Sequence, residues 1–366
     1  MSFFVEFVFA FAAVIALSYL LTFFYRKIAL RYQWLDVPGT KKLHKRPLPT
    51  MGGISIFIAF WLIFFLFIPQ RNQIADVYAV LISSSIILIT GIVDDQYELK
   101  PWQKMSGILL GANVLYFFTN IRVDSLTIDW IGTIQFHEFS YLVTMLWIAA
   151  ITNAVNLMDG LDGLATGTSI ISLVTMGLVS YFFTNSADIS SVIMIFLLVG
   201  SLIGFLPHNF YPAKIFLGDT GSLFIGFMIA ALSLNGLKHA TFISLLIPVA
   251  ILGVPITDTI AAIIRRLLHK KAISKKDWGH LHHRLLRIGF SHKQTVLVIY
   301  AMGIIFSLTA LLYPLSSFLG VVILTVGLIF GITLFVVSFN LLDRGDTPVR
   351  RFLYQLFYKE ESDEHD

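Results

Sequence analysis

The side chains best suited to chemistry lie in residues 152–167, TNAVNLMDGLDGLATG, between two apolar stretches. Asp159 and Asp162 stand there among glycines, in a composition that breaks helices, and glycine lets the backbone approach a ligand closely. Ionisable groups at the edge of a bilayer are costly, so each is by default a functional candidate. A polar loop between helices is the competing interpretation, and the other polar clusters of the chain decide between the two.

Three further carboxylates give the same signal. Asp94 and Asp95 are adjacent at the end of an apolar run, where two carboxylates repel each other and raise one pKa unless a cation is near. This pair suits a Mg²⁺ site or a proton acceptor. Asp219 lies in a Gly-Asp-Thr-Gly turn before another apolar run, where it could hold a metal beside an anion bound at the helix start. Phe216 could stack on a nucleobase, although phenylalanines in such a chain more often face lipid or the core.

A histidine-rich segment and a lysine supply positive charge. If residues 277–287, DWGHLHHRLLR, form a helix, four side chains share one face, namely His280, His283, Arg284 and Arg287. This face suits phosphate, because the guanidinium fork matches phosphate oxygens. A zinc site is a weaker interpretation, since thiolates are absent and a third ligand is missing. Lys45, before the turn PTMGG, could also bind phosphate. Ordinary basic loops are the alternative in both places.

The composition identifies a membrane protein as the framework for these clusters. The 366 residues are 57% apolar and 13% charged, with a mean hydropathy of +0.80 and no cysteine. A soluble domain carries about 25% charged residues, and a bilayer span needs roughly 17–25 mostly apolar residues. The sequence therefore predicts an all-α integral membrane protein. About eleven apolar runs are candidate transmembrane helices: 3–24, 51–68, 77–93, 104–120, 141–156, 164–183, 189–206, 222–237, 241–264, 295–313 and 317–341.

The distribution of charge orients these spans. One set of alternate loops, with the C-terminal tail, holds 23 of the 26 Lys and Arg residues. The positive-inside rule places that set in the cytoplasm and the N-terminus outside, so every polar cluster lies at the cytoplasmic face. We predict one polytopic domain over 1–341 and a cytoplasmic tail over 342–366. In the external loop near 121–140, residues 123–128 and 133–139 could pair as a short β-hairpin.

Carboxylates for Mg²⁺ beside cationic groups for phosphate are the equipment of phosphoryl transfer. That reaction needs positioning and neutralisation of the transferring group more than covalent participation by the protein. A site at the cytoplasmic face of a bilayer can receive a soluble nucleotide from water and a lipid phosphate from the membrane.

Five motifs in this order resemble those of the polyprenyl-phosphate N-acetylhexosamine-1-phosphate transferases, the family that includes the phospho-N-acetylmuramoyl-pentapeptide translocase. The resemblance runs from about residue 35 to residue 300. The motifs are PTMGG (49–53), DDQ (94–96), NAVNLMDGLDGLA (153–165), NFYPAKIFLGDTGS (209–222) and HLHHRL (280–285). The last motif resembles the UDP-N-acetylglucosamine (UDP-GlcNAc) branch, because Leu281 interrupts the run of three histidines typical of the pentapeptide enzymes.

The resemblance implies a role for each matching residue. Asp219 would be a Mg²⁺ ligand, Asp94 would prepare the lipid phosphate or take its proton, and Asp95 would support the metal or the phosphate. The nucleotide–metal centre would be shaped by Asn156, Asp159 and Asp162. Gly160, Leu161, Asn209 and Phe216 would surround the uracil. Lys45 would approach the uridine or phosphate, and the sugar-phosphate end would be held by His280, His282, His283 and Arg284.

The reaction implied is the transfer of GlcNAc-1-phosphate from UDP-GlcNAc to undecaprenyl phosphate, which releases UMP. The cofactor would be Mg²⁺, with Mn²⁺ as a substitute. The protein would lie in a bacterial plasma membrane. The resemblance implies no nucleic-acid partner, and a homodimer is one oligomeric form to consider. The glycopolymer served would be wall teichoic acid or a similar envelope polymer.

Three alternatives remain at this point. Phospho-MurNAc-pentapeptide transfer is the closest in chemistry. A covalent aspartyl intermediate could replace direct attack by the lipid phosphate. A secondary transporter is the alternative of another class, but the sequence has no evident repeat, and its acids gather at one face. The exception is Asp258, inside the ninth predicted span, for which we expect a neighbouring cation and a structural role.

Overall fold

The computed structural model describes residues 3–38, 46–67, 74–128, 132–183, 189–235, 240–268 and 279–339. Lys45 and the tail over 342–366 lie outside these residues. Within them the chain forms thirteen α-helices and five short strands. The helices are α1 Phe3–Arg31, α2 Gly53–Phe67, α3 Ile74–Tyr97, α4 Pro101–Phe118, α5 Phe139–Met158, α6 Leu164–Phe183, α7 Ile189–Asn209, α8 Gly218–Asn235, α9 Phe242–Ile251, α10 Gly253–Leu268, α11 Leu281–Ile288, α12 His292–Leu312 and α13 Phe318–Ser338.

Membrane-spanning helices dominate the described part of the chain, as the composition predicts. Seven helices there are long and apolar enough to cross a bilayer. They are Phe4–Arg31, Asp76–Tyr97, Phe139–Met158, Leu164–Phe183, Ile189–Asn209, His292–Leu315 and Phe318–Val336. Gly53–Phe67 and Gly218–Leu234 are shorter apolar helices. An all-α membrane protein is therefore confirmed. The count of eleven spans stays a prediction.

Helix α8 lies at the centre of the bundle. It is buried along nearly its whole length and packs against α2, α3 and α5. The contact with α3 is close because Gly91 has no side chain, and a Cβ there would overlap the backbone of Thr220. This approach places the C-terminal end of α3, with its two aspartates, beside the N-terminal end of α8.

The ninth predicted span, 241–264, is broken into two helices. Helix α9 ends at Ile251 and α10 begins at Gly253, with Leu252 between them. Pro255 lacks an N–H and its ring clashes with the carbonyl four residues earlier, that of Ile251, so a continuous helix is disfavoured there. The ninth predicted span therefore corresponds to two consecutive helices, and its crossing of the membrane stays a prediction.

Strands account for little of the structure. The predicted hairpin is present, with β3 (Ser125–Ile128) antiparallel to β4 (Gly132–Gln135). A third strand, β5 (Ala240–Thr241), pairs parallel with β3 and was not predicted. Near the other polar clusters, β1 (Leu35–Asp36) pairs antiparallel with β2 (Leu48–Pro49).

Candidate active site

A cavity of about 940 Å³ opens where the ends of α3, α5, α7, α8 and α12 meet. Most of the predicted site residues line it. They are Asp94, Asp95, Asn156, Asp159, Gly160, Leu161, Asp162, Asn209, Phe216, Asp219 and His283. Residues from four of the five sequence motifs, together with Thr50 of the fifth, thus meet at one place although they are far apart in the chain.

Asp94 and Asp219 approach each other through one shared cation. The ammonium group of Lys104, on the first turn of α4, contacts the carboxylate of Asp94 and lies 3.1 Å from Oδ2 of Asp219. It also donates to Oδ1 of Asn156 at 3.4 Å. The Asn156 amide in turn donates to Asp219 and, at 2.8 Å, to the hydroxyl of Ser222. Two carboxylates can lie this close because the lysine offsets their repulsion.

Lys104 is a site residue that the sequence did not single out, since it was counted only as loop charge. Its position does contain a signal. A lysine in the first turn of a helix opposes the helix dipole, which favours acidic groups there. Such an unfavourable placement is offset here by contacts with two carboxylates from other helices.

Asp95 uses both of its oxygens on the start of α8. Oδ1 accepts the N–H of Asp219 at 2.9 Å, and Oδ2 accepts the N–H of Thr220 at 3.0 Å and its hydroxyl at 2.6 Å. The first N–H groups of a helix have no partner within the helix, so a carboxylate at this position stabilises them and the dipole. The two adjacent aspartates therefore do different work: Asp95 caps α8, and Asp94 contacts the lysine.

For Asp159, the described residues provide no hydrogen-bonding or charged partner. It follows the last residue of α5, lines the cavity, and makes no side-chain hydrogen bond or ion pair with the described residues. Burial raises the pKa of the Asp159 carboxyl well above its usual range, and the negative charges of Asp219, Asp95 and Asp162 raise it further. A cation or a proton at this point in the cavity would relieve that repulsion.

Two predicted site residues hold the wall of the cavity together. Asp162 accepts the N–H of Ala213 at 2.9 Å, and its own N–H donates to Nε2 of His292 at 3.0 Å. The Asn209 amide accepts from the hydroxyl of Thr166 at 2.9 Å and donates to the carbonyl of Ile215 at 3.1 Å. Both side chains line the cavity, yet their polar groups are engaged in fixing the segment between α7 and α8.

The cavity lining also contains residues that the sequence did not single out. Tyr211 and His292 both line the cavity, and their rings stack with centroids 4.5 Å apart. Because Nε2 of His292 accepts the N–H of Asp162, its Nδ1 carries the proton. Arg46 lines the cavity as well, next to the predicted but undescribed Lys45. Tyr211 lies within the motif 209–222, but the residue type alone gave it no role, and His292 and Arg46 lie outside the five motifs.

The histidine segment is helical, as expected, but its side chains are distributed differently from the predicted cationic face. His283 lines the cavity, while His280, His282 and Arg284 are buried away from its lining. His282 packs on Gly160, where a Cβ would overlap the imidazole. Burial, followed by the charge of His283, lowers the pKa of His282 to about 3, so the ring is neutral at pH 7. Arg284 donates through Nε to the carbonyl of Gly279 at 2.9 Å.

The donor set suits a hard divalent cation better than zinc. Among the described residues that line the cavity, seven are acidic, and the surplus of negative charge is large: Asp36, Asp94, Asp95, Glu98, Asp159, Asp162 and Asp219. No three described His, Asp or Glu side chains are arranged as a closed metal site. Mg²⁺ is usually held by one or two carboxylates together with water and substrate phosphates, so an open acidic cavity fits it.

Comparisons with known proteins agree with this geometry. Residues 77–237 match the model of a family described as Glycosyl transferase family 4. The probable undecaprenyl-phosphate N-acetylglucosaminyl 1-phosphate transferase of Bacillus subtilis is 40% identical over 294 residues, which cover 78% of this chain and 79% of that protein. The chain belongs to this glycosyl transferase family.

Other relatives are named either for transfer of N-acetylglucosamine phosphate or for transfer of phospho-N-acetylmuramoyl-pentapeptide. The decaprenyl-phosphate N-acetylglucosaminephosphotransferase of Mycobacterium tuberculosis is 35% identical over 301 residues, or 75% of this chain and 74% of that protein. The phospho-N-acetylmuramoyl-pentapeptide-transferase of Streptococcus thermophilus is 33% identical over 238 residues, or 60% of this chain and 68% of that protein. The family resemblance predicted from the five motifs is confirmed. The named relatives are transferases, which favours an enzyme over the alternative of a secondary transporter.

Proposed function

We propose that this membrane transferase moves N-acetylglucosamine 1-phosphate from UDP-GlcNAc to undecaprenyl phosphate, giving undecaprenyl-diphospho-GlcNAc and UMP. The observation that carries the proposal is the acidic cavity at the helix ends, where Asp94 and Asp219 share the ammonium group of Lys104 and Asp159 lines the same cavity. The names of the Bacillus and Mycobacterium relatives supply the sugar and the class of lipid. A cell-envelope polymer such as wall teichoic acid is the proposed destination of the product.

We assign the cavity to the cytoplasmic face, with eleven spans and the N-terminus outside. This assignment rests on the positive-inside rule, because most Lys and Arg residues lie in loops on the side of the cavity. From that face the site can accept a nucleotide from water and a lipid headgroup from the membrane. A homodimer remains a separate prediction.

Asp219 and Asp159 are the proposed holders of Mg²⁺, since Asp159 has no described partner and Asp219 is oriented by Asn156. When bound, Mg²⁺ would neutralise charge on the donor diphosphate and on the leaving UMP; Mn²⁺ is the proposed substitute. The chain itself supplies Lys104, which offsets charge between Asp94 and Asp219. Phe216, half-buried beside the turn at Gly52, is the proposed platform for uracil.

The lipid phosphate oxygen attacks the phosphorus that bears the sugar, and the bond to UMP breaks. A phosphate monoester is already largely ionised at pH 7, because its second pKa is about 6. The repulsion between two anions is then the larger barrier, and Lys104 lowers it by placing positive charge beside Asp94. Asp94 therefore orients the lysine and the lipid phosphate in this proposal, and removal of a proton is secondary.

Release of UMP by purified protein tests the proposal. The protein in detergent is given undecaprenyl phosphate and Mg²⁺, with either UDP-GlcNAc or UDP-MurNAc-pentapeptide as donor. We expect UMP from UDP-GlcNAc alone. Asp219→Asn should be inactive, whereas Asp124→Asn, which alters an ion pair with Arg122 outside the cavity, should be active. UMP from the pentapeptide donor alone would contradict the proposed sugar.

The second candidate function is phospho-MurNAc-pentapeptide transfer, favoured by the 33% identity to the Streptococcus enzyme. The two-donor measurement separates it from the proposal. Direct attack is separated from an aspartyl intermediate by omitting the lipid in a single turnover with donor labelled in the sugar. Label retained on the denatured protein would require a covalent intermediate, and direct attack predicts none.

A further inference from the structure

Asp258 lies on α10, outside the cavity lining, and is 3% exposed. Both of its oxygens have partners at the start of α11, on His280 and Leu281. Oδ2 lies 2.9 Å from Nδ1 of His280, and Oδ1 accepts the N–H of Leu281 at 2.9 Å. An ionised carboxylate only accepts hydrogen bonds, so Nδ1 of His280 carries the proton in this pair.

These two contacts fall on the first residues of α11. A helix of eight residues is marginal in isolation, and its first N–H groups need partners from outside the helix. Asp258 provides one such partner and places negative charge at the positive end of the helix dipole. The position of α11 therefore depends on a side chain of α10.

The rest of α11 connects the Asp258 contacts with the cavity. Leu281 and Leu285 are buried in an apolar cluster with Met158, Leu161 and Leu164. These three residues lie in or beside the loop 159–163, called the aspartate loop below because it contains Asp159 and Asp162. His282 packs on Gly160, and His283 reaches the cavity lining. The N-terminus of α11 is thus held by Asp258 at His280 and Leu281, and His283, two residues after Leu281, lines the cavity.

We propose that Asp258 is a positioning residue: by binding His280 and the Leu281 N–H, it holds α11 so that His283 meets the diphosphate-sugar end of the nucleotide donor. The inference rests on the proposed function for its substrate. It predicts that loss of Asp258 acts on the donor through His283 and leaves the lipid acceptor unaffected.

Hydrogen–deuterium exchange tests the structural half without any turnover. In full-length Asp258→Ala, amides of residues 281–288 should exchange about tenfold faster, because local opening of a small unit sets their rate. Asp258→Asn keeps an oxygen for Leu281 and should lie between Asp258→Ala and wild type. Thr257→Val, a buried neighbour on α10, is the matched control and should leave these amides unchanged. Unchanged exchange in Asp258→Ala would overturn the proposal.

A double-mutant cycle tests the functional half. Asp258→Ala should raise the KM for UDP-GlcNAc about tenfold in the wild-type background and less than about twofold in a His283→Ala background, since coupled residues are not additive. The KM for undecaprenyl phosphate should be unchanged in both. An equal change in both backgrounds, or a change in the lipid KM instead, would show a general structural defect and overturn the positioning role.

The two halves also separate this inference from the proposed function. If the wild-type protein released no UMP from UDP-GlcNAc, the proposed function would fail. The exchange of residues 281–288 would then decide by itself whether Asp258 holds α11, with Thr257→Val as the reference.

Discussion

Two regions of the cavity wall are held in different ways. The carboxylate cluster (Asp94, Asp95, Asp159 and Asp219) stands on the ends of long helices that pack directly against one another around α8. The histidine helix (α11) has eight residues and is held from outside, through Asp258 and through Gly160. The carboxylate cluster is held by the packing of whole helices. The histidine helix is held by the contacts of Asp258, by His282 against Gly160 and by the apolar packing of Leu281 and Leu285.

We infer that the two regions have different roles: the carboxylate cluster provides charge for the reaction, and the histidine helix contributes to binding of the donor. The carboxylate cluster concentrates like charges, which is costly and is tolerated only with Lys104 and, as proposed, a divalent cation. The histidine helix contributes a neutral ring, His282, and one side chain at the cavity, His283. We expect changes in the cluster to lower kcat and changes around the helix to raise the KM for the donor.

The largest effect is expected from Asp219→Asn. Loss of one metal-ligating charge should lower kcat by on the order of 10³, equivalent to about 4 kcal/mol of transition-state stabilisation. UMP release should stay low as Mg²⁺ is raised. A wild-type rate at any Mg²⁺ concentration would remove Asp219 from the metal site and would erase the distinction between the two regions.

The next largest loss of kcat is expected from Lys104→Met. It removes the described cation that contacts both Asp94 and Asp219, so these carboxylates repel and kcat should fall by on the order of 10². Lys104→Arg retains the charge and should recover part of the rate. Arg122→Met, which breaks an ion pair remote from the cavity, serves as the control. Equal losses in Lys104→Met and Arg122→Met would contradict the bridging role.

Gly160→Ala should act where the two regions touch. The added Cβ overlaps the ring of His282 and should push the histidine helix from the aspartate loop, raising the KM for UDP-GlcNAc about tenfold, or ~1.4 kcal/mol. In a His282→Ala background the overlap is absent, so Gly160→Ala should add little there. Steady-state kinetics on the wild type, the two single variants and the double variant measure this. Strictly additive changes in the KM for UDP-GlcNAc would argue against this contact.

Asp95→Asn should affect stability within the cluster. The carboxylate accepts three hydrogen bonds at the start of α8, and replacing one oxygen by an amide should cost about 1 kcal/mol of unfolding free energy. Asp159→Asn should do the opposite, because it removes a charge that has no described partner and that three other aspartates repel. Thermal unfolding in one detergent compares them. Destabilisation of both variants alike would refute the assigned roles.

The smallest effect is a pH dependence from the histidine helix. His282 has a pKa of about 3 in the folded protein, below its ordinary value of 6.5. Below pH 6.5 the unfolded chain therefore binds a proton that the folded chain does not, and stability should fall as pH drops from 6.5 toward 3. Amide exchange of residues 281–288 at pH 7.0 and 5.5, corrected for intrinsic rates, measures this. His282→Gln should flatten the dependence, and an unaltered dependence in that variant would assign it to another group.

The amount that could be predicted differs between fold and site. The sixth predicted span, 164–183, coincides with α6, and the hairpin near 121–140 is present, because apolar runs and alternation are local patterns. The break at Leu252 lies inside an apolar run, and the sequence analysis did not predict it. Most of the predicted site residues do line one cavity. The role of Lys104 was not predicted, since its partners lie on other helices.

The sequence by itself determined that this is a helical membrane protein of a phosphosugar transferase family, with five motifs that carry its candidate site residues. Hydropathy and motif order are properties of the chain, and they hold whatever the packing. Tertiary structure alone decided which aspartate caps α8, which contacts Lys104 and which has no described partner, and that Asp258 holds the start of α11. These roles depend on distances between residues remote in sequence, which only the packing of the helices sets.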